Sequence, residues 1–168
     1  MIDGVSMNSF KLISFDQSTD TTGYAVFRDG EMVKYGSFSP DGGNVVDRIE
    51  FMHGNIRELI EAEHPDHIAF EGVQYQRNMK SYSELSWLQG VILAAIFDCG
   101  CGFEIVMPSS WRKHFGLNKG KGVKRAELKA RAIAYVRAEM GLDVPEDVAE
   151  GILIGKSVAD RMRGAFDK

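Results

Sequence analysis

The chain has 168 residues, 44% of them hydrophobic and 26% charged, with a formal net charge of −4. That length carries one sizeable core, the composition is that of an ordinary globular protein, and no apolar run reaches the ~18 residues of a membrane span. Met1 to Ser9 has neither the basic head nor the apolar stretch of a secretory leader. Residues 1–10 are expected to form a loose extension ahead of a single domain over 11–168.

Short β-type runs come first. Lys11–Asp16 and Thr22–Arg28 read as strands, and Asp29-Gly30 is a hairpin turn into a third strand, Glu31–Ser39. Pro40-Asp41-Gly42-Gly43 breaks the chain. Asn44 then caps a helix whose apolar positions, Val45, Ile49, Met52, Ile56 and Leu59, recur every three or four residues. Pro65-Asp66 ends it, and His67–Glu71 is a fourth strand. The polar stretch Gln74 to Lys80 leads to a helix over roughly Ser81–Phe97, and Phe103–Met107 is a fifth strand stopped by Pro108. A short helical segment around Ser110–Phe115, a loop over Gly116–Gly122, and helices over roughly Val123–Met140 and Glu146–Met162 complete the chain. Hairpin strands followed by alternating helices and strands specify an α/β fold: a mixed five-stranded sheet flanked by helices. In such a sheet the C-terminal ends of the first and fourth strands lie side by side.

Acidic residues stand at the places where apolar runs end or begin. Asp16 closes Leu12-Ile13-Ser14-Phe15, and Glu71 closes His67-Ile68-Ala69-Phe70. Glu146-Asp147-Val148-Ala149-Glu150 opens the last helix, with Asp147 and Glu150 three apart on one face. A carboxylate at the end of a buried strand is costly unless a partner offsets its desolvation. Three such placements point to one shared partner, and hard oxygen donors suit Mg²⁺ or Mn²⁺. The chemistry that follows is a metal-dependent nuclease. Asp147 and Glu150 also suit a helix N-terminus for dipole reasons alone, and spacing leaves Glu146 open as an alternative ligand.

The net charge argues against nucleic acid, but its distribution argues for it. Arg112, Lys113, Lys119, Lys121, Lys124, Arg125, Lys129 and Arg131 are opposed only by Glu127. Setting aside the four acidic residues Asp16, Glu71, Asp147 and Glu150 brings the net charge of −4 to zero. Lys119-Gly120-Lys121-Gly122 is a cationic loop whose glycines let the backbone approach phosphate. Tyr75, Arg77 and Lys80 are further expected DNA contacts. Tyr75 and Tyr82 are candidates to stack on an unpaired base or to pack at the sheet edge. His53, His64 and His67 read as surface or turn residues; His114 lies in the basic segment, where a phosphate contact is the lesser of its two readings. Cys99 and Cys101 are too few for a four-ligand zinc site and read as reduced thiols in a turn.

Four blocks in order carry a family resemblance. They are Ile13-Ser14-Phe15-Asp16-Gln17-Ser18-Thr19 with Thr22-Gly23-Tyr24-Ala25-Val26; Ile68-Ala69-Phe70-Glu71-Gly72-Val73; Asn78-Met79-Lys80-Ser81 with Gln89-Gly90; and Asp147-Val148-Ala149-Glu150-Gly151-Ile152. From about Leu12 to Ala159 the chain resembles RuvC-type Holliday junction resolvases, on the ribonuclease H-like fold. Two departures stand out. Glu150 occupies the place of the family's usual aspartate, and Gln74, followed by Tyr75, replaces a phenylalanine three residues after Glu71. They mark a divergent member, of the kind expected from a phage.

The resemblance implies a structure-selective endonuclease that resolves four-way DNA junctions with paired symmetric nicks. Asp16, Glu71, Asp147 and Glu150 would be the catalytic carboxylates and would hold two Mg²⁺ or Mn²⁺ ions per site. The implied partners are branched DNA and a second copy of the chain, in a bacterial or phage-infected cytoplasm and without a membrane. The helix around Ser81–Phe97 carries apolar residues on more than one face, including Trp87, Val91 and Ile96; it is the candidate dimer face, and burial against the sheet explains it nearly as well. Alternatives are a nuclease of the same fold for flaps, forks or hybrids, and a branched-DNA binder that does not cut. Asp16-Gln17-Ser18-Thr19 also resembles the phosphate loop of actin-like sugar kinases, but those chains are far longer and carry two such domains.

Overall fold

A computed structural model describes residues 9–75 and 77–166. The expected loose extension falls mostly on residues 1–8, outside the described residues. Strands β1 (Lys11–Asp16), β2 (Thr22–Arg28) and β3 (Glu31–Phe38) form an antiparallel meander. Asp29 at φ 52° and Gly30 at φ 84° both take the left-handed conformation, which suits the twist of a two-residue hairpin. β4 (His67–Glu71) pairs in parallel with β1, and β5 (Gly102–Val106) in parallel with β4. The sheet order is β3-β2-β1-β4-β5. The ends of β1 and β4 are therefore neighbours, as expected.

Strand alternation decides what each face receives. Ile13, Phe15, Val26, Ile68 and Phe70 point to one face and pack under α1 (Val45–Glu63) and α2 (Met79–Cys99). Leu12, Ala25, Phe27 and Ala69 point to the other, under α5 (Glu146–Phe166). By the same parity Asp16 and Glu71 fall on the α5 face. Helices α3 (Pro108–His114) and α4 (Arg125–Met140) border α5 and contribute Trp111, Ala132 and Val136 to that layer. Among the described residues no helix is long and apolar enough to cross a membrane.

Element boundaries moved for local reasons. α2 starts at Met79 rather than Ser81, because the Asn78 side chain accepts from the amides of Lys80 and Ser81 and caps the helix. β5 starts at Gly102, whose amide donates to the Asp66 carbonyl at 3.0 Å. Pro108 does not merely stop β5: it opens α3 at the position where a missing N–H costs nothing. α4 starts two residues late, at Arg125, after Gly120 and Gly122 turn the chain through positive φ. α5 continues past Met162 to Phe166.

Glycines seat α5 on the sheet. A Cβ on Gly23 would lie 1.8 Å from the Asp147 carbonyl oxygen, and one on Gly155 would lie 2.3 Å from both Phe27 and the Ser14 hydroxyl. Gly151 rests against the Gly23 backbone, and its carbonyl accepts from Ser14 Oγ at 2.7 Å. We expect Gly23→Ala to destabilise the fold by about 1–3 kcal/mol, the cost of overpacking, and to slow catalysis by displacing Asp147. Gly54→Ala is the control: nothing lies within 4 Å of that Cβ, and the helix should gain about 0.5–1 kcal/mol. Urea unfolding of both variants checks the contrast.

Candidate active site

Asp16, Glu71, Asp147 and Glu150 line one cleft of about 560 Å³, together with Glu146. Three elements deliver them: the ends of β1 and β4, and the first two turns of α5. The Gln17 amide locks the two strand ends together, donating to the Glu71 carbonyl and accepting from the Glu71 amide at 3.2 Å. Asp16 and Glu150 are 8% and 5% exposed. Burial, then the charges of Glu71, Glu150 and Asp147, hold the Asp16 carboxyl well above its ordinary range. Burial also raises Glu71, against a hydrogen bond from Trp111, and raises Asp147, with Glu146 adding to it and Lys129 opposing.

Several carboxylate oxygens are held by protein donors. Trp111, fully buried, donates its indole N–H to Glu71 Oε1 at 3.0 Å. Arg112 donates to Glu150 Oε1 at 3.1 Å, and Lys129 pairs with Glu146. Among the described residues no three acidic, histidine or cysteine side chains already close on a single point as a metal cage. The donor chemistry nevertheless fits a hard divalent cation. All four groups are oxygen donors, and the burial and mutual repulsion that raise Asp16 are what a bound cation offsets.

The sequence profile described as "Crossover junction endodeoxyribonuclease RuvC" matches residues 12–127. The chain belongs to the RuvC family. A RuvC protein of Dictyoglomus turgidum is 28% identical over 89 residues, a match covering 50% of this chain and 56% of that one. One from Nitratidesulfovibrio vulgaris is 26% identical over 149 residues, covering 86% and 89%. Among solved structures, Thermus thermophilus RuvC in complex with a Holliday junction substrate superposes with a TM-score of 0.71 at 16% identity, covering 92% of this chain and 96% of that one. The yeast mitochondrial Holliday junction resolvase Ydc2 gives 0.59 at 13% identity, covering 88% and 77%. The fold is ribonuclease H-like, as the sequence leads one to expect.

In this RuvC chain the expected DNA contacts divide. Tyr75, Arg112 and Arg125 line the cleft. Lys113, Lys119, Lys121, Lys124, Arg77 and Lys80 are exposed outside it. Three basic or histidine side chains also have partners within the protein. Arg131 donates to the carbonyls of Leu117 and Lys119, both at 2.8 Å, and so braces the cationic loop. Lys129 lines the cleft on Glu146. His114 pairs with Asp160 at 3.0 Å rather than standing ready for phosphate. His67, read as a surface or turn residue, is half-buried at the start of β4, and burial lowers its pKa, although Glu104 opposes the shift. Burial pushes the Cys101 thiol up to about 12, which suits an inert thiol. Trp111 is both core and a partner of Glu71.

Proposed function

We propose that the chain is a divalent-metal-dependent endonuclease that resolves four-way DNA junctions by paired nicks. The observation that carries this is the convergence of Asp16, Glu71, Asp147 and Glu150 in one cleft edged by Arg112, Arg125 and Lys129. RuvC enzymes are metal-dependent nucleases. Asp16, central among the carboxylates, would serve two Mg²⁺ or Mn²⁺ ions; Glu71 would hold one and Asp147 with Glu150 the other. Bound ions of this kind activate the attacking water and offset charge on the leaving 3′-oxygen. The protein's own part is placement. Gln17 fixes the strand end that carries Glu71, and Gly23 admits Asp147 at backbone distance. Arg112, Arg125 and Lys129 supply positive charge toward the scissile phosphate.

The test is cleavage of a synthetic four-way junction beside linear duplex, flap and RNA–DNA hybrid, with and without Mg²⁺. Paired nicks in the junction, only with metal, are expected. Equal cutting of the other substrates would reassign the substrate, and binding without cutting would make the chain a branched-DNA binder.

The phosphate path runs from the cleft along the loop of Lys119 and Lys121 to Lys124 at the start of α4. Lys121→Ala with Lys124→Ala should weaken junction binding and reduce the slope of log K against log salt by about one for each phosphate no longer neutralised. An unchanged slope would make these lysines merely solvated. Tyr75, 76% exposed and 5.9 Å from the Tyr82 ring, offers a face for an unstacked base.

A homodimer fits the near two-fold symmetry of a junction. Helix α2 presents Trp87 and Phe97, 54% and 67% exposed, along one stripe with exposed Gly90 and Ala94. Phe97 meets Phe103 of edge strand β5 at 6.2 Å. Ile96, expected in this interface, is instead 1% exposed in the core. Trp87→Arg should convert dimer to monomer in sedimentation equilibrium. A mass equal to wild type would move the interface elsewhere.

A further inference from the structure

Arg112 occupies an unusual position for a residue that serves DNA alone. Its guanidinium lies 3.1 Å from Glu150 Oε1, with side-chain exposures of 15% and 6%, and its carbon sits 4.8 Å from the centre of the Trp111 ring. The pair lines the same cleft as Asp16, Glu71 and Asp147. Glu150 is also one of the acidic charges that, after burial, raise the Asp16 carboxyl. Arg112 thus supplies one positive charge where the carboxylates repel one another, and it covers an oxygen that the metal reading assigns to a ligand.

The pair is incomplete. Arg112 Nε is buried and has no hydrogen-bond partner. A buried orphan donor is unfavourable, so the guanidinium gains by moving to an anion that engages its fork, and a phosphodiester offers two such oxygens. The indole of Trp111 differs in kind: it is neutral, and its N–H is satisfied by Glu71.

We infer that Arg112 is an exchangeable counter-cation of Glu150, holding that carboxylate until a divalent ion replaces it and leaving its fork free for DNA phosphate. This rests on the reading of the four carboxylates as a metal site. Arg112 then opposes metal uptake in the free protein, by covering one donor oxygen and by repelling a dication at short range.

The test is calorimetric titration of Mn²⁺ into the full chain without DNA, for wild type, Arg112→Gln, Arg112→Lys and Asp16→Asn. Arg112→Gln should bind Mn²⁺ ~10-fold more tightly, the scale of a close charge pair removed from a partly screened site. Arg112→Lys, which keeps the charge, should stay within ~3-fold of wild type, and Asp16→Asn should lose binding. Arg112→Gln equal to or weaker than wild type, with binding lost in Asp16→Asn, overturns the inference and leaves the metal site standing. No Mn²⁺ binding in wild type or Arg112→Gln overturns both. A second measurement needs no variant. The Arg112 Nε–H resonance of labelled wild type should shift as Mg²⁺ saturates the site, and a resonance that stays fixed overturns the inference.

Discussion

Asp16→Asn and Glu71→Gln each slow junction cutting by more than ~100-fold, as loss of a major electrostatic stabiliser does elsewhere, while junction affinity stays close to wild type. The separation follows from the layout. The carboxylates line the cleft, while the exposed lysines proposed to meet phosphate lie outside it. Asp16→Asn carries a second signature. Burial and three carboxylates raise its carboxyl above the ordinary 3.8. Above that ordinary value the unfolded chain has lost a proton that the folded, metal-free protein still holds. Folded-state stability therefore falls as pH rises through the interval up to the raised value. The asparagine variant lacks this fall and is more stable than wild type at neutral pH without metal, and divalent ion stabilises wild type far more than the variant. Single-turnover kinetics and thermal melts across pH, with and without Mg²⁺, measure both effects.

Glu150→Gln also cuts the rate by ~100-fold, for the same electrostatic reason, whereas Glu150→Asp stays within ~10-fold, since the charge is kept and one methylene is lost. Glu150 is 5% exposed and faces Asp16 and Arg112 across the cleft. A residue that only favours the helix N-terminus contributes about 0.3–1 kcal/mol to stability and nothing to rate. Stability is the poorer readout here. Losing the Arg112 pair destabilises, while relieving the repulsion with Asp16 stabilises. Glu146, the alternative ligand that spacing leaves open, is paired with Lys129 and more exposed. Glu146→Gln should therefore keep most of the activity. Full activity in Glu150→Gln with loss in Glu146→Gln would exchange their roles.

The sheet and the acidic cluster were legible because both depend on short-range pattern. Apolar runs closed by carboxylates, an Asp-Gly turn and an Asn cap each act within a few residues. Parity places Asp16 and Glu71 on one face, but nothing local says which layer covers it. That choice depends on Gly23, Gly151 and Gly155, whose lack of a side chain lets α5 reach the backbone of β2. The spacing of four between Gly151 and Gly155 on an apolar helix is the signal that could have found it. Charge was harder to read. Arg112, Lys129 and His114 pair with residues 38, 17 and 46 positions away, and one dimension shows a basic run without its partners. The expected reach of α2 as an interface erred at Ile96 for a similar reason: an apolar residue on a helix that covers a sheet goes inward first.

The most direct test of the metal-site reading is anomalous diffraction from crystals grown with Mn²⁺. We expect manganese peaks in the cleft among Asp16, Glu71, Asp147 and Glu150, and none in an Asp16→Asn crystal. Manganese bound only elsewhere on the surface, with the four carboxylates still held by Trp111, Arg112 and one another, would contradict it.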